Sequence, residues 1–238
     1  MYLFAPLDKH YDKGFGAVAV ADSFEDAGKA LKETYNRGRL NGHLPICYLF
    51  RHSIELFLKG CIIIVHRGLK IPYGTEPCTS EPKIPVDGKL KSIYAIHDID
   101  FLYKYFSNLL IEKKDELDKV TRTNWDFKDD LGSKFERLKK IDSSSAYFRY
   151  PIEKSAVFEK QKSAFQESTL DDVIAMAIKN KEPMKSMKVM ALMGQETQIF
   201  VHDDSFTEDA MNLLAEVAEE ISTCHFALMH ELGGGGLG

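Results

Sequence analysis

The sequence predicts a mainly α-helical protein, a bundle of four or five main helices with a small irregular or β-hairpin insertion. Apolar residues recur at helical spacing in several long segments of the 238-residue chain. The last of these segments, over about 207–232, carries an uninterrupted apolar stripe on one face. Four of the eight prolines are concentrated in residues 69–95, outside the periodic segments. We expect residues 1–232 to form a single helical domain, followed by a flexible glycine-rich tail at 233–238.

The first two helices have clear boundary signals. Ser23 is a candidate N-cap for a first helix over about 24–37, which ends before Gly38. The second helix is expected to run from about Pro45, a residue that suits a first helical turn, to Gly68. Apolar residues cover most of the circumference of this second helix, so we expect it to lie at the centre of the bundle.

Two insertions separate the remaining helices. Residues 69–95 are expected to form a long exposed loop because of their prolines. Helical periodicity resumes after His97, where Asp98 is a candidate N-cap, and a shorter helix is expected over 129–141. Residues 152–205 give mixed signals and form the second insertion.

The second insertion contains two recognisable patterns. A short helix is expected after a cap at Ser168 or Thr169, with acidic residues in its first turn. Alternating apolar residues around Gly194 indicate a small β-hairpin.

Composition and charge restrict the classes of function. The net charge of −5 gives no general attraction to nucleic acid, so any RNA contact needs a local patch. The four cysteines are scattered, which favours a reducing compartment over a disulfide framework. The first 20 residues lack a secretory signal pattern, and the longest apolar run is too short to cross a bilayer. We therefore expect a cytoplasmic protein that does not contact a membrane.

One polar stripe interrupts the otherwise apolar stretch YLFRHSIELFLKGCIIIVHRG at 48–68. At 100° per residue, its polar side chains fall within a sector of about 100°. They are Tyr48, Arg51, His52, Glu55, Lys59 and His66. The stripe is interpreted either as a solvated, salt-bridged face or as a functional cleft. The second interpretation is attractive because histidine moves protons near neutral pH and arginine holds phosphate with a bidentate fork.

Three motifs in the chain resemble the HEPN superfamily of small helical bundles. They are YLFRHSIELFLKG in the second helix, HDIDFLYKYF at the start of the third, and IDSSSAYFRYP further on. In this order they cover roughly residues 24–151, and the last long helix completes the bundle. The resemblance implies a HEPN-like fold, a homodimer and a role in phage defence or a toxin–antitoxin system. It also implies that the partner is RNA, a nucleotide, or an effector or antitoxin protein.

Active HEPN nucleases carry an arginine and a histidine with four to six residues between them on a late helix, and this chain departs from that pattern. No arginine follows Arg149, so the last helix cannot supply the motif. The literal match from Arg37 to His43 spans two glycines in an expected turn. The departure favours a member that binds RNA or a nucleotide, or regulates a partner, without the usual nuclease activity.

Two alternatives stay open. The first is a metal-independent endoribonuclease in which Arg51 holds the scissile phosphate and His52 or His97 moves the proton. We expect the second and third helices to be antiparallel neighbours, which would bring His97 to the face of Arg51 and Glu55. The other alternative is a helical scaffold whose polar stripe docks a larger effector.

The binding hypothesis uses the stripe and the YFRYP segment, because aromatic side chains beside an arginine can stack on bases and hold phosphate. The residues assigned to binding are Tyr48, Arg51, Glu55, Lys59, Arg149 and Tyr150. Cys224 and His230 do not share one face of the last helix, and neither do His225 and His230. We therefore expect no metal site there, and no cofactor.

Overall fold

The structure is a computed structural model that describes residues 15–35, 42–125, 129–142, 148, 165–179, 186–190, 197–202 and 205–233. The helices in these residues are α1 (Phe15–Glu33), α2 (His43–Gly68), α3 (Ile99–Glu112), α4 (Lys114–Val120), α5 (Asp129–Ile141), α6 (Leu170–Lys179) and α7 (Ser205–Leu232). The strands are β1 (Lys83–Val86), β2 (Lys89–Ser92), β3 (Phe165–Ser168), β4 (Ser186–Met190) and β5 (Thr197–His202), and a short 3-10 helix spans Ile93–Ala95. The expected mainly α-helical class with a small β insertion is confirmed.

Helix α2 lies at the centre of the packed helices, as its apolar circumference predicts. Nineteen of its 26 residues are buried. It packs against α1, α3 and α7. Gly28 of α1 lies against the ring of Phe50, and Phe24 lies against His52, so α1 runs antiparallel to α2.

Helix α7 runs in the same direction as α2. The rings of Phe57 and His225 have centroids 5.6 Å apart, and further along Gly68 faces Leu232. A Cβ atom at Gly68 would come within 2.8 Å of the Leu232 Cβ, so glycine permits the two helix ends to approach closely. The expected long last helix is confirmed, with its end at residue 232.

Helix α3 also runs in the same general direction as α2, so the expected antiparallel arrangement is wrong. His97, just before α3, contacts Glu55 in the middle of α2, and Tyr105 contacts His66 near the end of α2. Residues 69–98 carry the chain back from the end of α2 to its middle. This long connection lets two consecutive helices lie side by side in the same sense.

The first insertion is more ordered than the proline content of 69–95 predicts. Strands β1 and β2 form an antiparallel hairpin. Asp87 and Gly88 at its turn have φ values of 50° and 74°, the left-handed conformation that a two-residue hairpin turn requires. Buried side chains of the insertion include Tyr73, Ile84 and Ile93. The expected loop therefore contains a hairpin and several covered side chains, although about half of its residues are exposed as expected.

Several helix boundaries follow the local sequence signals. Helix α5 spans the expected residues 129–141. The Asp98 carboxylate caps α3 by accepting a hydrogen bond from the Phe101 backbone N at 3.1 Å. The Thr169 hydroxyl caps α6 by accepting one from the Asp172 backbone N at 3.2 Å. Side-chain capping of this kind is a local property, which is why the sequence predicts it well.

Helix α1 begins and ends earlier than expected. Ser23 lies inside the helix rather than at its N-cap. The preceding stretch FGAVAVAD is rich in alanine, a strong helix former, and extends the helix back to Phe15. The helix ends at Glu33, several residues before Gly38.

A three-stranded antiparallel sheet belongs to the second insertion. Strand β5 lies between β3 and β4. The pairing of β4 with β5 agrees with the hairpin expected around Gly194, although Gly194 itself lies outside the described residues. Strand β3 was not expected, because four residues at 165–168 are too short for a clear pattern. The single-domain organisation of 1–232 stays a prediction, and 234–238 lie outside the described residues.

Across the helices of the described ranges, none combines the length and the hydropathy that a membrane crossing requires.

Candidate functional site

The polar stripe of α2 lies in the interior. Arg51, Glu55 and Lys59 are 1%, 1% and 4% exposed. Asp142 directly follows α5, and His97 lies two residues before α3; both bond to the stripe and help to cover it. The interpretation as a solvated face is therefore wrong for the three central residues.

The Arg51 guanidinium is engaged by three acceptors from three parts of the chain. Its Nε donates to Asp142 Oδ2 at 2.8 Å, and one terminal nitrogen donates to Glu55 Oε2 at 3.1 Å. The other terminal nitrogen donates to the backbone carbonyl of His97 at 2.5 Å. Each of its three nitrogens has a partner inside the protein, so the fork is not presented to solvent.

The Glu55 carboxylate is the centre of the network. Its Oε2 accepts from Arg51, and its Oε1 accepts from Lys59 Nζ at 2.8 Å and from His97 Nδ1 at 2.9 Å. Burial acts to raise the pKa of Glu55, but Lys59, His97 and Arg51 together outweigh burial and hold the pKa below its ordinary value. The carboxyl is therefore ionised at neutral pH.

His97 is the accessible member of the network, with a side chain that is 48% exposed. An ionised carboxylate can only accept hydrogen bonds, so the Nδ1 facing Glu55 must carry the proton. In the neutral ring, Nε2 is then left as a bare acceptor. This is the orientation of a histidine that takes up a proton from a ligand.

Among the described residues of the network, the formal charges other than that of His97 balance. Arg51 and Lys59 supply two positive charges, and Glu55 and Asp142 supply two negative charges. Burial of such a set is tolerable because each charge has an opposite partner within hydrogen-bond distance. A proton on His97 would add a further positive charge beside Glu55.

Asp142 belongs to this site; it is the second residue of the IDSSSAYFRYP motif but is not among the predicted site residues. It is 91 positions from Arg51, directly after α5. No spacing rule links the two residues, because the link depends on how α5 packs. The i, i+4 relations of Glu55 to Arg51 and to Lys59 are local and were readable.

His52 and Tyr48 lie apart from the network. The two rings are stacked with centroids 5.7 Å apart, and His52 meets the ring of Phe24 from α1 edge-on at 4.5 Å. His52 therefore faces α1, whereas Arg51 faces the start of α3 and the end of α5. Within the described ranges, the predicted histidine candidates His52 and His97 contact different groups.

His66, the last residue of the stripe, links three segments. Its Nε2 lies 3.0 Å from the Tyr105 hydroxyl and its Nδ1 lies 3.2 Å from the Ile71 carbonyl. Its ring stacks on Tyr73 with centroids 4.4 Å apart. Burial lowers the pKa of His66, so the ring is neutral at physiological pH. These contacts indicate a role in holding the end of α2.

Other sequence candidates cannot be placed in the site. Arg149 and Tyr150 lie outside the described residues, as does Arg37. His43, the other half of the literal Arg–His match, is a buried residue at the start of α2.

The last helix keeps its histidines apart. His225 is fully buried beside Phe57, and both of its ring nitrogens lack a hydrogen-bond partner within the described part of the chain. Burial lowers the pKa of His225 to about 4. His230 is exposed at the end of the same helix. Among the described residues, no group of three or more His, Cys, Asp or Glu side chains is placed to hold a metal ion.

The chain matches no protein-family model, no curated protein and no solved structure. The resemblance to the HEPN superfamily therefore rests on the three sequence motifs, and membership of that superfamily is a proposal.

Proposed function

We propose that this chain is a HEPN-like protein that binds RNA or a nucleotide, with His97 as the contact group, and acts in a binding or regulatory role. The observation that carries the proposal is the Glu55–His97 pair. A buried network of ion pairs holds Nδ1 of His97, while about half of the His97 side chain stays accessible to a ligand. Protonated His97 would donate from Nε2 to a phosphate oxygen in a charge-assisted hydrogen bond.

The binding role is preferred over catalysis because the cationic side chains of the site are buried and held in ion pairs. Arg51 and Lys59 are the positive side chains of this site within the described residues, and both are buried and paired. Neither can hold a scissile phosphate without breaking contacts in the interior. The usual Arg–His spacing of HEPN nucleases is also missing from the last helix.

The tautomer of His97 favours one second candidate, a metal-independent endoribonuclease. Its bare Nε2 could accept the proton of an RNA 2′-hydroxyl while that oxygen attacks the adjacent phosphorus. The bond from phosphorus to the 5′-oxygen would break, giving a cyclic phosphate and a strand with a 5′-hydroxyl after the leaving oxygen takes up a proton. In this role Arg51 acts through Glu55 rather than on the phosphate.

A docking scaffold built on the stripe is not favoured, because Glu55 and Lys59 are buried and offer no surface to a larger effector. The setting is proposed from the HEPN resemblance: a cytoplasmic homodimer in phage defence or a toxin–antitoxin system, with an effector or antitoxin protein as a further partner.

The test is a titration of fluorescent RNA, and of nucleotide, against wild type and the His97→Ala variant in EDTA. His97→Ala leaves the buried ion pairs in place, unlike substitution of Arg51. His230→Ala is the matched control, because His230 is also exposed but lies far along α7. We expect His97→Ala to weaken binding at least tenfold and His230→Ala to leave it unchanged.

The same samples, resolved on a denaturing gel, separate the two candidates. Intact RNA supports the binding role, and cleavage by wild type that is lost in His97→Ala supports the nuclease. Wild type that neither binds nor cleaves, or a His97→Ala variant equal to wild type, would contradict both.

A further inference from the structure

A second polar cluster lies at the far end of α2, where the chain enters the first insertion. Tyr73 is only 1% exposed. Its backbone is fixed by hydrogen bonds in both directions with Glu76, at 2.9 and 3.1 Å, and its ring stacks on His66. The position of the Tyr73 hydroxyl is therefore set by rigid surroundings.

Two buried polar atoms of this cluster lack a hydrogen-bond partner among the described residues. Within the described part of the chain, neither the Tyr73 hydroxyl nor the Arg67 Nε makes a hydrogen bond. Buried polar atoms are nearly always satisfied, so a pair of orphans indicates a missing ligand, ion or water. The two groups are close, because the ring of His66, the residue next to Arg67, stacks on the Tyr73 ring at 4.4 Å. In agreement, the charge of Arg67 acts against the rise that burial causes in the pKa of Tyr73.

The chemistry of the two atoms specifies the missing partner. An arginine Nε–H can only donate, and a tyrosine hydroxyl can donate as well, so both call for an acceptor. Arg67 forms no ion pair with any residue in the described ranges, and exposed Lys70 adds a second positive charge close by. Glu76, which is bonded to the Tyr73 backbone, is paired through its side chain with Lys83 at 2.9 Å. An acceptor with negative charge fits this site better than a neutral one.

We propose that Arg67 and Tyr73 form a binding site for a phosphate-type oxyanion, either free or carried as the phosphoryl group of a nucleotide. The site lies roughly 18 Å along α2 from Glu55, twelve residues at 1.5 Å each. It is separate from His97 and does not depend on the proposed function. Arg67 supplies charge and an N–H donor, and Tyr73 supplies a fixed O–H donor.

The test measures the thermal midpoint of the full chain against inorganic phosphate and, separately, adenosine monophosphate. Ligand that binds the folded state raises the midpoint in proportion to the logarithm of its concentration above Kd. We compare wild type with Tyr73→Phe and Arg67→Gln, with Arg122→Gln as control because Arg122 is an exposed arginine on a different element. We expect both site variants to bind at least tenfold more weakly and the control to behave as wild type.

Tyr73→Phe keeps the proposal testable if Arg67→Gln folds poorly. Without ligand this variant should be as stable as wild type, because the removed hydroxyl has no partner. A midpoint that responds to phosphate identifies a free oxyanion, and one that responds only to the nucleotide identifies its phosphoryl group. A response to either ligand that wild type shows and Tyr73→Phe lacks supports the site. A wild-type midpoint that does not respond to either ligand would overturn the proposal, even if Tyr73→Phe is less stable, since a lost bound water would explain that difference. A response that both site variants retain would also overturn it.

Discussion

Replacing Arg51 with methionine should destabilise the protein strongly. The change keeps similar volume but removes the donor to Asp142 Oδ2, to Glu55 Oε2 and to the His97 carbonyl. It leaves the buried carboxylates of Glu55 and Asp142 without the guanidinium that both of them contact. Removing one partner of a buried ion pair typically costs about 3–5 kcal/mol, because the remaining charge stays in the interior.

That loss is a large part of the total stability of an ordinary domain, which is about 5–15 kcal/mol. For a chain of this size, about 1 kcal/mol lowers the thermal midpoint by roughly 2–4 °C, so the midpoint of Arg51→Met should fall by roughly 6–20 °C.

Urea unfolding followed by far-UV circular dichroism measures the effect directly. Arg122→Met is the matched control, since an exposed arginine without an ion pair in the described residues should change the free energy of unfolding by no more than about 0.5 kcal/mol. An Arg51→Met variant within about 1 kcal/mol of wild type would refute the interpretation of a buried, paired network.

Three further predictions concern single positions. The pKa of His225 is about 4 in the folded protein against 6.5 ordinarily, so the unfolded chain binds the extra proton first as pH falls. The free energy of unfolding should therefore drop by roughly 3 kcal/mol between pH 6.5 and 4. Urea unfolding of His225→Leu should show this drop removed, whereas the control His230→Gln should retain it. Gly68→Ala should lower stability by about 1–3 kcal/mol in the same assay, because the new Cβ would meet Leu232 at 2.8 Å; equal stability would show that the helix ends are not so close. Asp98→Ala should cost about 1 kcal/mol through the lost cap, whereas Asp98→Asn should cost less, and a thermal melt distinguishes the two.

The sequence predicted those features that depend on neighbours along the chain. The cap at Asp98 and the limits of α5 follow from side-chain capping and helical periodicity within a few residues. The ion pairs of Glu55 with Arg51 and Lys59 follow from one helical turn. Each of these could be read without knowledge of the packing.

Features set by packing were missed. The angular sector of the polar residues on α2 follows from the sequence. The residues that bury this sector do not, because they depend on where α3 and α5 pack. The pairing of Arg51 with Asp142 joins positions 91 residues apart and has no sequence signal. The direction of α3 depended on the insertion between it and α2. The Asp-Gly pair at 87–88 is a sequence signal for a hairpin turn, but the prolines around it indicate a loop instead.

The tautomer of the His97 ring tests the central claim most directly, because both proposed roles require that Nδ1–H bonds to Glu55 and that Nε2 points to the ligand. Long-range proton–nitrogen NMR of protein labelled with ¹⁵N-histidine reports which ring nitrogen carries the proton, with His97→Ala used to assign the signal. We expect neutral His97 to be protonated at Nδ1 and bare at Nε2. A neutral ring protonated at Nε2 would mean that Glu55 does not hold it, and would contradict the site as described.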